Sequence, residues 1–140
     1  MSAIMMNVVP QLNVTVDNIP GQLAKIARAL AEEGISIVGL SCTENKQKAI
    51  WHIVVDKTDI AKRVLADIGF LALTDEIFGF LCPEDQPGVI AKIAEACADA
   101  GVNIGSIYTA ATGLNQPAMV YMWVDKEHFA KARAACAKVK

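Results

Sequence analysis

The stretch Asp85-Gln86-Pro87-Gly88, with an earlier copy at Asn18-Ile19-Pro20-Gly21, decides how this chain folds. Each copy follows a short apolar run, Ile77 to Cys82 in one case and Leu12 to Val16 in the other, and each opens an amphipathic helical pattern. Asn or Asp can accept hydrogen bonds from the unpaired N–H groups of a first helical turn, and proline sits well just inside a helix start. A following glycine lacks a Cβ, so another backbone or a small molecule can come close. One such copy is a plain helix start. Two in equivalent places mark a repeated unit.

Working outward, Leu12, Val14 and Val16 alternate with Asn13 and Thr15, the period of a half-buried strand. Leu23, Ile26, Ala27, Leu30 and Ala31 then follow at helical spacing, and Gly34 closes that helix. Ile35 to Cys42 reads as strand, Glu44 to Lys48 as a polar turn and Ala49 to Val55 as strand. A helix from Asp56, with Ile60, Val64, Leu65 and Ile68 inward, leads past Gly69 to a short fourth strand at Phe70 to Leu73. The order recurs: strand Ile77 to Cys82, a helix with Val89, Ile90, Ile93, Ala94 and Cys97 inward, strand Val102 to Thr109, strand Ala118 to Val124, and helix Lys126 to Lys138. Pro20 and Pro87, Gly21 and Gly88, and Gly34 and Gly101 all stand 67 residues apart, while Asp56 and Asp125 stand 69 apart. The second copy thus has a hairpin two residues longer.

The fold class is therefore α+β: two ferredoxin-like βαββαβ units in tandem, with antiparallel sheets carrying their helices on one face. The first unit spans 11–74 and the second 75–140. No residues remain after Val139 and Lys140 for a fourth strand in the second unit. That strand is short, or the N-terminal segment or a partner supplies it. Met1 to Val9 reads as an untethered lead-in, lacking the basic start of a signal peptide. Trp51 and Trp123 are placed on the uncovered sheet face, and Tyr108 in the core.

The 140 residues carry 13 basic and 15 acidic side chains, a net charge of −2, with no basic stripe; nucleic acid is disfavoured as a partner. No apolar run reaches the roughly 20 residues of a membrane span. Cys42, Cys82, Cys97 and Cys136 form no ligand spacing with His52 or His128, so no metal and no cofactor is expected. The cysteines fit small buried hydrophobes in a reducing cytoplasm. Ser41, Ser106 and Thr109 have no base close in sequence, and both histidines read as structural, so catalysis finds no support.

The repeated D/N-x-P-G after a strand, echoed by Gly34-Ile35-Ser36-Ile37 and Gly101-Val102-Asn103-Ile104, resembles the ACT domain family, over roughly Gln11 to Lys140. The resemblance implies ACT units that pair side by side, a homodimer through sheet edges or faces, and amino acids or similar small effectors held at the seam between units. It implies regulation of amino-acid metabolism, with a metabolic enzyme as possible partner, and no catalysis. Carried over by position, the Asn before Pro-Gly is Asn18 in the first unit and Asp85 in the second. The polar residue after the helix-closing glycine is Ser36 in the first and Asn103 in the second. Neither unit holds the whole pattern: the two combine into unequal sites, or one has degenerated.

The chemistry of the loops fits an amino acid as well. N–H groups and the helix dipole at Gly21-Gln22-Leu23 and Gly88-Val89-Ile90 favour a carboxylate. Asp85 can accept hydrogen bonds from an ammonium, and Asn18 or Asn103 can bridge to either end. Candidate ligand residues are thus Asn18, Ile19, Pro20, Gly21, Gln22, Leu23 and Ser36, with Asp85, Gln86, Pro87, Gly88, Val89, Ile90 and Asn103 as the stronger set. The alternatives are a ligand-free assembly subunit, an acylphosphatase-like hydrolase, for which Arg28, Arg63 and Arg133 lie wrongly within helices, and an RNA-binding module on the same strand order.

Overall fold

The computed structural model describes residues 3–140, and Met1 and Ser2 lie outside the described residues. The elements are β1 (Met5–Asp17), α1 (Gln22–Glu32), β2 (Ile37–Glu44), β3 (Lys48–Val55), α2 (Thr58–Asp67), β4 (Ala72–Cys82), α3 (Val89–Asp99), β5 (Ile104–Ala111), β6 (Ala118–Val124) and α4 (Phe129–Cys136). A single 3₁₀ turn, Lys126–His128, precedes α4, so the last helix starts three residues later than its pattern predicts. Within the Pro10–Glu76 unit the strand order is β2-β3-β1-β4, and within the unit holding Ile77–Lys140 it is β1-β4-β6-β5, each unit using its own part of β1 and β4. The α+β, ferredoxin-like duplication holds.

The chain divides into two compact units, Pro10–Glu76 and Ile77–Lys140 together with the segment that ends at Val9. The expected lead-in is therefore strand from Met5 onward. Its Met6 and Val8 pack on the core of the Ile77–Lys140 unit, beside Phe78, Phe80 and Met122. Pro10 lies inside this strand, although proline cannot donate a ladder hydrogen bond. In the fold, that missing donor falls where β1 passes from one unit to the other. The expected break between Leu73 and Ile77 is likewise absent: Thr74-Asp75-Glu76 holds no glycine or proline and runs through as the middle of β4.

In the Pro10–Glu76 unit, β1 and β2 flank β3 in antiparallel register, with Leu12 opposite Ile53 and Leu40 opposite Ile53. Leu12, Val14 and Val16 turn to the helices and close a core with Ile26, Leu30, Ala61 and Leu65. On helix α2 Leu65 is buried and Val64 packs against the core as expected, but Ala61 is buried beside them while Ile60 and Ile68 are exposed. Trp51 packs on this helix-side core, not on the open face. Alternation along β1 leaves Gln11, Asn13 and Thr15 on the opposite side.

In the other unit, Phe78, Phe80, Val120, Met122 and Val124 meet Val89, Ile93, Cys97, Ala132 and Cys136. Phe78 stacks on Phe129 with ring centroids 4.7 Å apart. Ile90, expected inward, is exposed on α3. The opposite sheet face carries Tyr121 against Tyr108, their centroids 5.2 Å apart. Tyr108 therefore lies on the open face and not in the core. Trp123 shares that face, its ring laid over Gly105, where a Cβ would stand 2.3 Å from the ring carbon Cε3.

Candidate functional site

The Pro-Gly loops open their helices differently from the expected cap. Gly21 and Gly88 are the residues that start α1 and α3, both left-handed (φ 94° and 97°), and no side chain caps either helix. A Cβ is strained in that conformation, which is why glycine recurs here. Asn18 and Asp85 thus do not cap, and Pro20 and Pro87 precede the first helical turn. Intrahelical bonding begins with the Lys25 N–H to the Gly21 carbonyl (3.1 Å) and the Lys92 N–H to the Gly88 carbonyl (3.0 Å). The N–H groups of the three residues after each glycine, Gln22 to Ala24 and Val89 to Ala91, point out of the helix start, where the dipole favours an anion.

What Asn18 and Asp85 do is tie their loops to the neighbouring hairpin. Asn18 N–H donates to the Gln47 carbonyl at 2.9 Å, and Asp85 N–H to the Gln116 carbonyl at 2.8 Å. Beyond this shared tie the two copies part. The Asn18 amide donates to the Glu44 carboxylate (2.9 Å) and the Asn45 carbonyl (2.8 Å), so its side chain is committed to the β2–β3 turn. The Asp85 carbonyl accepts from the Asn115 N–H (2.9 Å), Asn115 itself being left-handed (φ 66°), and the Gln86 amide donates to Asn115 Oδ1. The Asp85 carboxylate takes no part in these ties.

Beside the second loop lies a cleft of about 250 Å³, lined by Ala3, Ile4, Glu84, Gln86, Val89, Lys92 and Lys140. It sets a carboxylate, Glu84, and an ammonium, Lys92, around one opening; Lys92 Nζ donates to the Lys140 carbonyl oxygen at 3.1 Å. Neither Glu84 nor Lys92 had been singled out from sequence, though both lie within four residues of the motif. Ser36 is exposed and exchanges hydrogen bonds with Asp56 through its backbone, 3.0 Å to Oδ1 and 3.2 Å to the Asp56 N–H. Asn103 stands exposed ahead of β5, and no hydrogen bond among the described residues joins it to Asp85.

The residues set aside also find places. Thr109 Oγ1 donates to the Met119 carbonyl (2.9 Å). His52 lies in a row of polar side chains that links β4, β1, β3 and β2. Cys97 and Cys136 lie buried with sulfurs 3.8 Å apart, and burial pushes the Cys136 thiol up to about 12, away from thiolate chemistry. Among the described residues no group of three or more His, Cys, Asp or Glu is placed to hold a metal ion, and no helix is long and apolar enough to cross a membrane.

Two ferredoxin-like units, each opening its first helix on a left-handed glycine after proline, define a duplicated class of small α+β domain. The ACT domain model matches residues 11–65 and 77–135, and the chain belongs to the ACT domain family. Among solved structures it is similar to protein BT0572 from Bacteroides thetaiotaomicron, at 28% identity over 93% of this chain and 87% of that one, with a TM-score of 0.82. It shares its fold with the ligand-free regulatory subunit of aspartate kinase from Thermus thermophilus (21% identity, 99% and 97% covered, TM-score 0.65). The corresponding subunit from Thermus flavus is also similar (24%, 96% and 95%, 0.60). No curated protein matches.

Proposed function

We propose that this chain is a non-catalytic regulatory protein of the cytoplasm that binds a free amino acid at the Asp85–Gly88 loop. The observation that carries this is the cleft of about 250 Å³ flanked by Glu84, Gln86, Val89 and Lys92. An α-amino acid holds a carboxylate and an ammonium a short distance apart. Lys92 and the first N–H groups of α3 suit the carboxylate, while Glu84 and Asp85 suit the ammonium. Of the other candidates, Ile90 and Asn103 do not line the cleft, and Asn103 precedes β5 where Ile104 pairs with Val124, the opposite end of the hairpin from Ala118 beside Cys82. The first loop, Asn18 to Leu23 with Ser36, serves instead as a structural counterpart, because the Asn18 amide is committed to Glu44 and Asn45.

The partner that suits such a protein is a second copy of the chain, or an enzyme of amino-acid metabolism that it regulates. Family membership and the two Thermus structures, both regulatory subunits of aspartate kinase, support that direction. A thermal-shift screen against the twenty amino acids tests the reading. A ligand at a hundredfold excess over its Kd adds about 2.7 kcal/mol to stability. An amino acid that raises Tm in the wild type and not in Lys92→Met or Asp85→Ala supports the assignment. No shift at millimolar concentration with any of the twenty leaves the ligand-free assembly subunit as the better account.

A further inference from the structure

Across the open face of the Pro10–Glu76 unit, four side chains from four strands join in one line. The Asn13 amide nitrogen donates to Asp75 Oδ2 (2.8 Å), Asn13 Oδ1 lies 2.8 Å from His52 Nδ1, and His52 Nε2 lies 3.1 Å from Thr43 Oγ1. Gln11, which is buried, donates its amide to the same Asn13 Oδ1 at 3.1 Å. The order fixes the protons. A carboxylate only accepts, so the end of Asn13 facing Asp75 is the NH₂ and the end facing His52 is the oxygen. His52 must then carry its proton on Nδ1. In the neutral ring Nε2 is a bare acceptor, and the Thr43 hydroxyl donates to it.

Protonation of Nε2 from solvent reverses that last bond. The new N–H donates to Thr43 Oγ1, and the Thr43 hydroxyl proton must turn away, toward the exposed surface of β2, which pairs with β3 alone. Every group keeps a partner in both states, so the ring can change charge without a buried polar group being stranded. We propose that His52 is a proton-operated switch that converts Thr43, on edge strand β2, from an outward acceptor into an outward donor. The adjoining residue, Glu44, is the carboxylate held by Asn18. The switch therefore adjoins the first Pro-Gly loop.

The charged groups facing His52 are few. Asp75 on β4 reaches it through Asn13, and Asp17 and Lys48, four residues further along β1 and β3 on this face, pair with each other at 2.6 Å. Thr43 and Ser41 on β2 are uncharged, and the helices cover the other face. Asp75 favours the imidazolium while partial burial of the ring disfavours it, with burial the larger effect.

Nitrogen-15 and proton NMR of the full chain between pH 8 and 4.5 tests this directly. The expected result is the Nδ1–H tautomer of His52 at pH 8, with the Thr43 and Glu44 amide shifts following the same midpoint as the ring. In Thr43→Val the ring still titrates and the Glu44 response is lost. The Nε2–H tautomer at pH 8, or a ring that titrates while Thr43 and Glu44 stay still, overturns the proposal. So does a Glu44 response that survives in Thr43→Val. Valine matches threonine in shape at an exposed strand position, so the variant keeps the fold.

Discussion

Asn18 and Asp85 occupy the same place in the two copies, and each gives its backbone N–H to a hairpin carbonyl, Gln47 at 2.9 Å and Gln116 at 2.8 Å. Those acceptors are 69 residues apart while the donors are 67 apart, so the tie absorbs the two-residue difference in hairpin length. The backbone relationship is kept and the side chains diverge. The proposed division of roles between the two loops rests on this divergence.

Asn18→Ala removes two side-chain hydrogen bonds, to Glu44 and Asn45, from a solvent-exposed turn. Such bonds contribute about 0.5–1.5 kcal/mol each, with the lower end expected at an exposed site. Urea denaturation should show a loss of about 1 kcal/mol for Asn18→Ala. Asp85→Ala, which breaks none of the backbone ties, should stay within about 0.5 kcal/mol. Equal losses in the two variants would contradict the division of roles.

Gly105→Ala drives a methyl group into the Trp123 ring, 2.3 Å from Cε3 and 2.4 Å from Cζ3. The ring is rigid and lies flat, so it must swing off the sheet. Overpacking of this kind costs about 1–3 kcal/mol. Near-ultraviolet circular dichroism should register the displaced indole. Trp123→Ala in the same background should recover part of the loss.

Stability should fall in mildly acid solution because of His52. Burial holds its folded-state pKa below the ordinary 6.5, with the Asp75 carboxylate pulling the other way. As pH drops, the unfolded chain takes up this proton first. The His52 contribution is complete above about pH 6.5 and is lost as pH falls toward the folded-state value. Urea midpoints between pH 7.5 and 5 should slope more steeply for the wild type than for His52→Gln, whatever the variant's absolute stability.

Thiol labelling should separate the four cysteines. Cys42 is exposed, whereas Cys82, Cys97 and Cys136 are buried. A thiol–disulfide reagent at pH 8 should modify one thiol per native chain and all four in denaturant. Rapid modification of Cys97 or Cys136 would show that α3 and α4 open readily, against their close packing.

The duplication, the order of elements and the class of fold were legible in the chain because they rest on local signals. Period-two runs such as Leu12-Val14-Val16, helical spacings such as Ile93-Cys97, and the 67-residue echo of Pro-Gly each report on a few neighbouring residues. Helix faces were legible only in part. Ile60 and Ala61 both fit an inward stripe on α2, and packing chose the smaller residue.

Glu84 and Lys92 flank the motif within one helical turn, but no local pattern says that their side chains border a cleft. Asp75, Asn13, His52 and Thr43 are separated by 62, 39 and 9 residues, and they align only because the strand registers bring them side by side.

The sequence by itself determined that one βαββαβ unit is used twice and that each first helix opens after Pro-Gly. The tertiary structure alone decided that β1 and β4 run on through Pro10 and Thr74-Asp75-Glu76, and that Gly21 and Gly88, not Asn18 and Asp85, begin the helices. The physical reason is the reach of each signal. Propensity and periodicity act over a turn or a strand, whereas a hydrogen bond's partner is set by register and packing between segments distant in the chain.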